Sequence, residues 1–414
     1  MVDHFSLATG PRRVALYSHD TQGLGHVRRN LALADALAAA EPSSQTLLIT
    51  GAPSAAALPL PPGADFVALP ALAKRGNGEY HPRSLSGSLD RLVRLRSDVI
   101  SAALGAFEPD LLIVDKVPRG FAGELEPALR RLRASGRARC VLGLRDVLDT
   151  APVARREWDQ SRATQAVALH YDAVWIYGDP AVYDPVCEYG LPASVRAKVS
   201  YTGYLANGRP VPPAGTTPPP PPRPFALCLV GGGQDGLALA RSFVRSRLPS
   251  GMRGVVVTGP YMDPGHRADL HLLAATRSDM VVNDYVLDPE RWIGAADLVV
   301  SMAGYNSVCE VLAHRKRALF VPRTQPRAEQ LVRARRLEQL GLADLLHPDD
   351  LSSARLSGWM ASAAGAGPVR GAHVDLNGLA RVPGLVEALL AAQPAQLAQI
   401  ACRSSERGAV DVAV

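Results

Sequence analysis

The sequence predicts an α/β protein of two domains, each a parallel sheet covered by helices, with a ligand cleft between them. Its 414 residues suffice for two ordinary domains with their own cores. Both halves repeat a rhythm of short apolar strand, polar or glycine-rich turn and amphipathic helix, which is typical of βαβ units. A proline-rich stretch, Pro210–Pro224, separates the halves, and such a run favours extended geometry over a helix or a central strand.

Short apolar runs mark the strand candidates, and helical patterns lie between them. In the first half we expect strands at Arg13–Ser18, Gln45–Thr50, Phe66–Leu69, Leu111–Val114, Cys140–Leu144, Ala173–Ile176 and Val199–Thr202. In the second half we expect them at Phe225–Val230, Gly254–Thr258, Met280–Asn283, Leu298–Ser301, Ala318–Val321 and Ala343–Leu346. Helices are expected at His26–Ala40, Arg91–Ala106 and Leu379–Ala392.

The predicted division is a first domain (residues 1–207), a linker (208–224), a second domain (225–392) and a polar tail (393–414). The alternative is that the proline-rich stretch is a surface loop inside one domain. Two tandem parallel sheets place a cleft at the carboxyl ends of their strands. Polar residues at those strand ends are therefore the first candidates for function.

Composition excludes several classes of protein. A hydrophobic fraction of 47% with 20% charged residues indicates a globular chain. No run approaches the ~20 apolar residues of a membrane span, and the start lacks a secretory leader pattern, so we expect a cytoplasmic protein. The five scattered cysteines include no C-x-x-C pair, which excludes a zinc ribbon and predicts free thiols.

The net charge of +6 is compatible with several anionic partners. With 5% aromatic residues and no basic helix carrying interleaved aromatics, nucleic acid is not an expected partner. A basic surface can dock peripherally on the inner face of a membrane. The sequence does not indicate the oligomeric state.

The segment Ser18–His26 follows the first strand and opens a helix. Gly23 and Gly25 let the backbone approach a ligand. A dinucleotide-binding loop would need a third glycine where Arg28 stands and an acidic residue ending the second strand, so a nicotinamide cofactor is not expected. His26 faces the predicted cleft, and a neutral imidazole there suits a general base. The alternative is a histidine that only caps the turn.

Asp115 directly follows the strand Leu111–Val114. In a parallel sheet that position points into the same crevice as the loop after the first strand, so the carboxylate can orient His26. The alternative is an aspartate capping the next turn. His19 and Asp20 are further candidates in the first loop.

A second glycine-rich loop, Gly231–Gly236 (GGGQDG), follows the strand Phe225–Val230. Successive glycines can expose backbone N–H groups to an anion, and the following helix adds a favourable dipole. Gly232, Gly233 and Gln234 are thus candidates for diphosphate binding. The Lys-Ser/Thr of a P-loop is missing, so triphosphate hydrolysis is not expected.

The segment Gly304–Glu310 (GYNSVCE) turns a strand end into a helix. Asn306 and Ser307 are predicted N-cap residues that can also hold a phosphate. Glu310 lies one turn further, where a carboxylate can grip a ribose diol. The alternative is a capping-box glutamate satisfying its own helix.

Glu329 and Gln330 follow the strand Ala318–Val321 and a proline-containing loop. Their oxygens can bind sugar hydroxyls, and the alternative is a plain helix start. Polar groups thus recur at successive strand ends of the second half, and we expect them to converge.

These motifs resemble the nucleotide-sugar glycosyltransferases of the twin-Rossmann (GT-B) type. The likeness is greatest to the bacterial family that adds N-acetylglucosamine to a lipid-linked peptidoglycan precursor. Val282–Gln330 is the most specific part, and GYNSVCE is similar to the G-W-N-S-x-x-E donor box of natural-product glycosyltransferases. The G-L-G-H run ending at His26 is similar to the family's first glycine-rich loop. The resemblance implies two Rossmann-like domains facing a central cleft.

The resemblance also implies residue roles, with a nucleotide-diphosphate sugar, expected to carry UDP, as co-substrate and no bound cofactor. His26 would be the base and Asp115 its partner, as in inverting relatives. On the donor side, Gly232, Gly233 and Gln234 would contact the diphosphate, Asn306 and Ser307 a phosphate, and the backbone of Tyr285 and Val286 the nucleobase. Glu310 would contact the ribose, Glu329 and Gln330 the donor sugar, and Gly304 belongs to the same donor-binding set. Two positions depart from the family: its Gly-Gly-Ser loop is Gly-Gly-Gly here, and Met302 replaces a histidine before the donor box.

The acceptor side has less support. The family's acceptor loop has no counterpart, so a peptidoglycan role is not expected. Lys74–Leu85 (KRGNGEYHPRSL) is predicted to form its own acceptor loop for a small-molecule or lipid-linked substrate. The candidate acceptor-side residues are Gly23, Gly25, Glu79, Tyr80 and His81.

Two further patterns bear on mechanism. The chain has no D-x-D motif, so no metal is expected. No second carboxylate stands seven residues beyond Glu310, which favours inversion. The alternatives are a sugar-nucleotide epimerase or hydrolase on the same fold, and a non-catalytic sugar-nucleotide binder.

Overall fold

The computed structural model describes residues 10–19, 25–52, 55, 58–74, 79–209, 218–367, 369 and 371–392. Several predicted features lie outside the described residues: Gly23 and Asp20, residues 210–217 of the linker and the polar tail. Neither they nor the side chain of Lys74 enter the structural account below.

The first half forms a seven-stranded parallel sheet in the order β3-β2-β1-β6-β7-β8-β9. Its strands are β1 (Arg13–Ser18), β2 (Gln45–Thr50), β3 (Ala64–Ala68), β6 (Leu111–Asp115), β7 (Arg139–Arg145), β8 (Ala173–Tyr177) and β9 (Val199–Tyr201). A separate antiparallel pair joins β4 (Leu72–Lys74) to β5 (Tyr80–Pro82). The helices are α1 (Gly25–Ala40), α2 (Leu89–Phe107), α3 (Glu126–Ser135), α4 (Ala151–Gln160), α5 (Ala163–His170), α6 (Pro185–Glu188) and α7 (Ala193–Arg196).

The second half forms a six-stranded parallel sheet in the order β12-β11-β10-β13-β14-β15. Its strands are β10 (Phe225–Leu229), β11 (Arg253–Val257), β12 (Met280–Asn283), β13 (Leu298–Ser301), β14 (Arg317–Phe320) and β15 (Asp344–Leu345). Its helices are α8 (Leu237–Val244), α9 (Pro264–Ala275), α10 (Pro289–Ala295), α11 (Tyr305–Ala313), α12 (Glu329–Gln339), α13 (Ser353–Ala363) and α14 (Gly378–Ala391). Of the helices described, none combines the length and the apolar character needed to cross a bilayer.

Every residue of the central strands β6, β8 and β10 is buried. This follows from their continuous apolar sequence, because helices cover both faces of a parallel sheet. In each sheet the strand order reverses once, between β1 and β6 and again between β10 and β13. The loops that leave these four strands therefore open a crevice at the carboxyl edge of each sheet.

The predicted α/β fold with two parallel sheets is confirmed, and most predicted strands agree with the observed ones to within two residues. The pair β4–β5 was not predicted as strands: the sequence suggested a loop from Lys74 to Leu85. Its polar side chains hide the pairing, which rests on backbone contacts such as Ala73 opposite His81.

The last helix, α14, packs against α1 of the first half. The chain reaches it through a segment whose carbonyl of Asp375 accepts a hydrogen bond from the N–H of Tyr204 at 2.8 Å. The Arg139 guanidinium also donates to the carbonyl of Ala392 at 2.6 Å. The final segment of the predicted second domain thus returns to the first sheet, and the domain division stays a prediction.

Candidate active site

A cleft of about 960 Å³ lies between the two sheets at the carboxyl ends of their strands. A smaller cavity of about 260 Å³ adjoins it and shares several of its wall residues. Both are lined by residues that follow β1, β10 and β13, and the larger cleft also by residues that follow β6. These are the strands between which the order of each sheet reverses. The position follows from the strand order, since ligands of doubly wound sheets bind where that order reverses.

Most of the predicted donor residues line these cavities. The larger cleft is lined by His26, Tyr80, Gly232, Gly233, Gln234, Gly304, Ser307, Glu329 and Gln330. The smaller cavity adds Gly25, Tyr285, Val286 and Asn306. Neither lining includes Asp115, Glu310, Glu79 or His81. The structure therefore brings most of the predicted donor residues together, and it leaves Glu310 and two of the predicted acceptor residues outside the lining.

His26 lies in the first turn of α1, with its Nδ1 atom 2.8 Å from Oδ2 of Asp115 at the end of β6. Asp115 is 1% exposed and also accepts a hydrogen bond from the buried Arg29. With Asp115 accepting the Nδ1 proton, the Nε2 lone pair of His26 is available to another partner. The imidazole lines the cleft, so it can take a proton from a ligand there.

Burial alone would raise the pKa of Asp115, but the charges of Arg29 and His26 outweigh it and hold that pKa below its ordinary value. Asp115 is therefore an anion at neutral pH. Arg29 itself lies between the rings of Tyr177 and Tyr305, 6.0 and 5.5 Å from their centroids. This buried cation fixes the position of the carboxylate that orients His26.

The second glycine-rich loop leaves β10 and enters α8. Gly233 has a φ of +95°, and a Cβ there would stand 2.3 Å from the carbonyl oxygen of Thr258. Only glycine fits this position, because both the backbone angle and the space exclude a side chain. The loop is thereby held against the turn after β11 and faces the cleft.

Helix α11 begins at Tyr305, with Gly304 in the N-cap position and no capping side chain. The prediction that Asn306 and Ser307 cap this helix is therefore wrong. The Asn306 amide instead donates to the carbonyl of Gly25 at 3.1 Å, and its oxygen accepts from Arg209 at 3.1 Å. These tertiary contacts hold the helix start against α1. Ser307 lines the cleft.

Glu310 is buried at 1% exposure between two arginines. Its Oε1 accepts from Arg28 at 2.9 Å and from Arg209 at 3.2 Å. Its Oε2 has no hydrogen-bond partner among the described residues. The capping-box alternative does not describe this side chain, since its partners come from α1 and from the start of the predicted linker.

Glu329 and Gln330 begin α12 and face the same cleft. Gln330 accepts from the backbone N–H of Arg323 at 2.9 Å, and Arg323 donates to Glu329 Oε1 at 2.6 Å. Burial opposes the charge of Glu329, but Arg145 and Arg323 outweigh it and lower its pKa. Its second oxygen has no partner within the described part of the chain and is available to a ligand hydroxyl.

The predicted acceptor residues are scattered. Tyr80 lines the cleft with its ring 4.8 Å from that of Phe121, in an edge-to-face arrangement. Glu79 is exposed, and His81 is partly buried within the hairpin. Gly25 lies on the donor-side cavity rather than apart from it.

Sequence reasoning missed two cations in the cleft wall, Lys116 and Arg145. Each stands at the carboxyl end of a strand, directly after Asp115 in β6 and as the last residue of β7. The strand-end rule that selected Asp115 would have found both. Across the described ranges, no group of three or more His, Cys, Asp or Glu side chains is arranged to hold a metal ion.

Comparison with known proteins agrees with this architecture. Residues 228–360 match the glycosyltransferase family 28 C-terminal domain. A 66-residue stretch is 38% identical to the UDP-N-acetylglucosamine–N-acetylmuramyl-(pentapeptide) pyrophosphoryl-undecaprenol N-acetylglucosamine transferase of Geobacillus kaustophilus. That stretch is 16% of this chain, and it spans only 18% of the length of the relative.

Solved structures resemble nearly the whole chain at low identity. The calicheamicin glycosyltransferase CalG4 is 16% identical with a TM-score of 0.57, over 92% of this chain and 98% of its own. A putative UDP-N-acetylglucosamine 2-epimerase from Listeria monocytogenes is 12% identical with a TM-score of 0.56, over 92% of this chain and 96% of its own. Residues 228–360 are therefore similar to the glycosyltransferase family 28 C-terminal domain, within a chain whose GT-B fold is similar to that of nucleotide-sugar glycosyltransferases.

Proposed function

We propose that this chain is an inverting glycosyltransferase that moves a sugar from a nucleotide diphosphate, UDP by resemblance, to an acceptor hydroxyl. The observation that carries the proposal is the convergence on one cleft of the Gly233 loop, the start of α11, Glu329 and the imidazole of His26. The first three come from the second sheet and His26 from the first. A donor bound by the second half would thus face a catalytic base, His26, supplied by the first half.

The proposed donor site is built from backbone and helix-terminal groups. The glycine loop and the N-terminus of α11 offer N–H groups and a favourable dipole to the diphosphate. The free oxygens of Glu310 and Glu329 suit the ribose and the sugar hydroxyls respectively. Tyr285 and Val286 line the smaller cavity, where the nucleobase of the donor would lie.

The proposed step is a direct displacement. Nε2 of His26 takes the proton of the acceptor hydroxyl while its oxygen bonds to the anomeric carbon from the face opposite the diphosphate. The bond from that carbon to the phosphate oxygen breaks, and the nucleoside diphosphate leaves with the electron pair. Asp115 stabilises the imidazolium that forms, and the amides at the glycine loop and α11 stabilise the leaving group. These groups require no metal ion.

A thermal-shift screen with nucleoside diphosphates and their sugars tests the donor class first. We expect UDP and UDP-sugars to raise Tm in a saturable manner, and transfer to appear when an acceptor is added. If no nucleoside diphosphate stabilises the protein, the proposal is wrong. Release of free UDP or an epimerised sugar from donor alone would favour the epimerase or hydrolase alternative, which shares the fold. Binding without turnover across acceptors would favour a sugar-nucleotide binder.

The acceptor belongs to one of two classes, a small molecule or a lipid-linked one. The curated relative named above acts on a lipid-linked pyrophosphoryl substrate, and the predicted peripheral membrane contact would suit that class. Transfer assays with soluble acceptors, and with acceptors in vesicles of anionic lipid, separate the two. Vesicle co-sedimentation of the protein alone tests the membrane contact.

A further inference from the structure

The wall of the cleft carries an uneven distribution of charge. Most of its partly buried arginines have a carboxylate partner: Arg119 has Glu126 and Arg323 has Glu329, while Arg29 in the adjoining smaller cavity has Asp115. Arg327 likewise pairs with Glu157 and Asp149. These pairs neutralise one another where they stand.

Lys116 and Arg145 are the exception. Neither forms a hydrogen bond or an ion pair through its side chain with any residue that the structure describes, and the Arg145 Nε is buried without a partner. Both line the larger cleft. Burial lowers the pKa of Lys116 to about 7, and Arg145 and Arg327 add to the effect by repulsion. Glu329 attracts both cations without a hydrogen bond or ion pair to either, but burial and the repulsion of neighbouring arginines outweigh it and lower both pKa values. A bound anion would offset this cost.

The backbone at Lys116 adds an independent observation. Its φ is +70°, in the left-handed region that residues with a Cβ rarely adopt. Strain of this kind tends to persist at functional sites, where the surrounding structure holds a side chain in a required direction. Here the N–H of Lys116 donates to the carbonyl of Gly143 at 2.8 Å, which fixes the turn after β6 against β7.

We propose that Lys116 and Arg145 form a binding site for an oxyanion, a phosphate or a carboxylate, carried by the acceptor substrate. This rests on the proposed function and adds the chemical class of the acceptor. The site belongs to the first half, since both residues end strands of the first sheet. Lys116 directly follows Asp115, so an anion bound there lies beside the hydroxyl that His26 deprotonates.

This site shares the larger cleft with the proposed diphosphate loop, Gly232 to Gln234, but it is separate from the cavity proposed for the nucleobase. Lys116 lines only the larger cleft, whereas Tyr285, Val286 and Asn306 line the smaller cavity. Arg145 lines both and stands where the two meet. An acceptor anchored by its anion at Lys116 would therefore approach the donor sugar from the part of the cleft away from the nucleobase.

The test uses the full chain saturated with UDP, so that the diphosphate site is filled, and titrates inorganic phosphate against potassium chloride of matched ionic strength. We expect a saturable rise in Tm with phosphate for the wild type. Lys116→Met and Arg145→Met should each weaken apparent phosphate affinity about tenfold or more, as expected for loss of a hydrogen bond to a charged group. Arg162→Met is the matched control, because Arg162 lines the same cleft but is exposed. It should behave as the wild type.

A phosphate effect that is absent, or that survives in Lys116→Met, would overturn the proposal. So would a marked fall in the ligand-free Tm of Lys116→Met, since this would make the lysine structural. If UDP does not bind the wild type, the proposed function is wrong. The anion site is still tested in that case, by titrating phosphate into the ligand-free wild type and variants.

A second arm distinguishes the source of the anion. Binding of UDP-glucose and UDP-glucuronate is compared in the wild type and in Lys116→Met. An acceptor anion site predicts the same small change for both donors. Selective loss of UDP-glucuronate binding would assign the pair to a uronate donor and overturn the acceptor assignment.

Discussion

The Nδ1 atom of His26 lies 2.8 Å from Oδ2 of Asp115, although 89 residues separate the two in the chain. Strand β6 lies beside β1, so the end of β6 meets the start of the helix that follows β1. Arg29, one turn beyond His26, holds the same carboxylate. The imidazole is thus oriented by a buried anion whose own charge is stabilised by a buried cation.

Replacing His26 by alanine removes the proposed base. We expect transfer to slow by about 10²–10⁴-fold, the usual contribution of a positioned acid–base group, with UDP affinity unchanged. Initial rates with a true acceptor and calorimetric titration of UDP measure the two effects. His271→Ala serves as control, because that histidine is 48% exposed and pairs with Asp284 outside the cleft. An unchanged rate in His26→Ala would remove the imidazole from the mechanism.

Asp115→Asn tests the buried ion pair. The variant leaves the Arg29 charge without its partner, so we expect a loss of about 3 kcal/mol in the free energy of unfolding, measured by urea denaturation. The folded pKa of Asp115 lies below its unfolded value of about 3.9. The contribution of ionised Asp115 to the free energy of unfolding is therefore complete above about pH 4. It is lost as the pH falls through the pKa of Asp115 in the folded protein.

The control is the same acid titration of Asp115→Asn. The variant should lack this part of the acid dependence and lose less stability than the wild type as the pH falls below about 4. If both proteins lose stability in parallel, Asp115 is not the carboxylate responsible.

Glu310→Ala tests the ribose contact. We expect the wild type to prefer UDP over 2′-deoxy-UDP by about tenfold, the value of one good hydrogen bond to a carboxylate. The variant should lose that preference, as measured by calorimetry. Glu338→Ala, at an exposed position of α12, is the control. If Glu310→Ala keeps the preference for UDP, the ribose binds elsewhere. A lower stability without a change in this preference would show only that Arg28 and Arg209 have lost their partner.

Gly233→Ala tests the glycine loop. A Cβ at this position meets the Thr258 carbonyl at 2.3 Å on a backbone with a φ of +95°, so the loop must shift. We expect UDP affinity to fall at least tenfold, about 1.4 kcal/mol. Gly358→Ala is the control, since that helical glycine has open space around it and alanine should stabilise α13 slightly. Equal UDP affinity in both variants would exclude the loop from the donor site.

Lys116→Met should raise the stability of the ligand-free protein. The folded pKa of about 7 lies below the unfolded value of about 10.4, so the lysine costs stability in full below about pH 7. The cost declines between about pH 7 and pH 10.4, where only the unfolded chain holds the proton. The charges that face it are Arg145, Arg327, Glu329 and Glu157.

Thermal unfolding measures this pH dependence. The gain in Tm should be about 2 °C or more near pH 6 and should disappear near pH 10. Lys316→Met offers a comparison, because that lysine donates to the carbonyl of Ala296 at 2.9 Å. A gain that does not vary with pH would assign the effect to packing rather than to the lysine charge.

Local sequence patterns predicted much of the fold because they record burial. The runs that became β1, β2, β12 and β13 were located to the residue, since each is a short apolar run bounded by polar residues or turns. The pair β4–β5 was missed because its side chains alternate too weakly to reveal backbone pairing. The start of α11 was misplaced by two residues, because Asn306 and Ser307 look like caps until their tertiary partners are known.

The sequence by itself determined the α/β class, the two sheets and the strand ends at which functional groups gather. Each of these follows from periodicity and turn residues that are near one another in the chain. Only the tertiary structure decided which of those groups meet. The contacts of His26 with Asp115 and of Glu310 with Arg28 and Arg209 join residues far apart in sequence. That Lys116 and Arg145 form no ion pair with any described carboxylate is likewise a property of three-dimensional neighbours, and no local pattern encodes it.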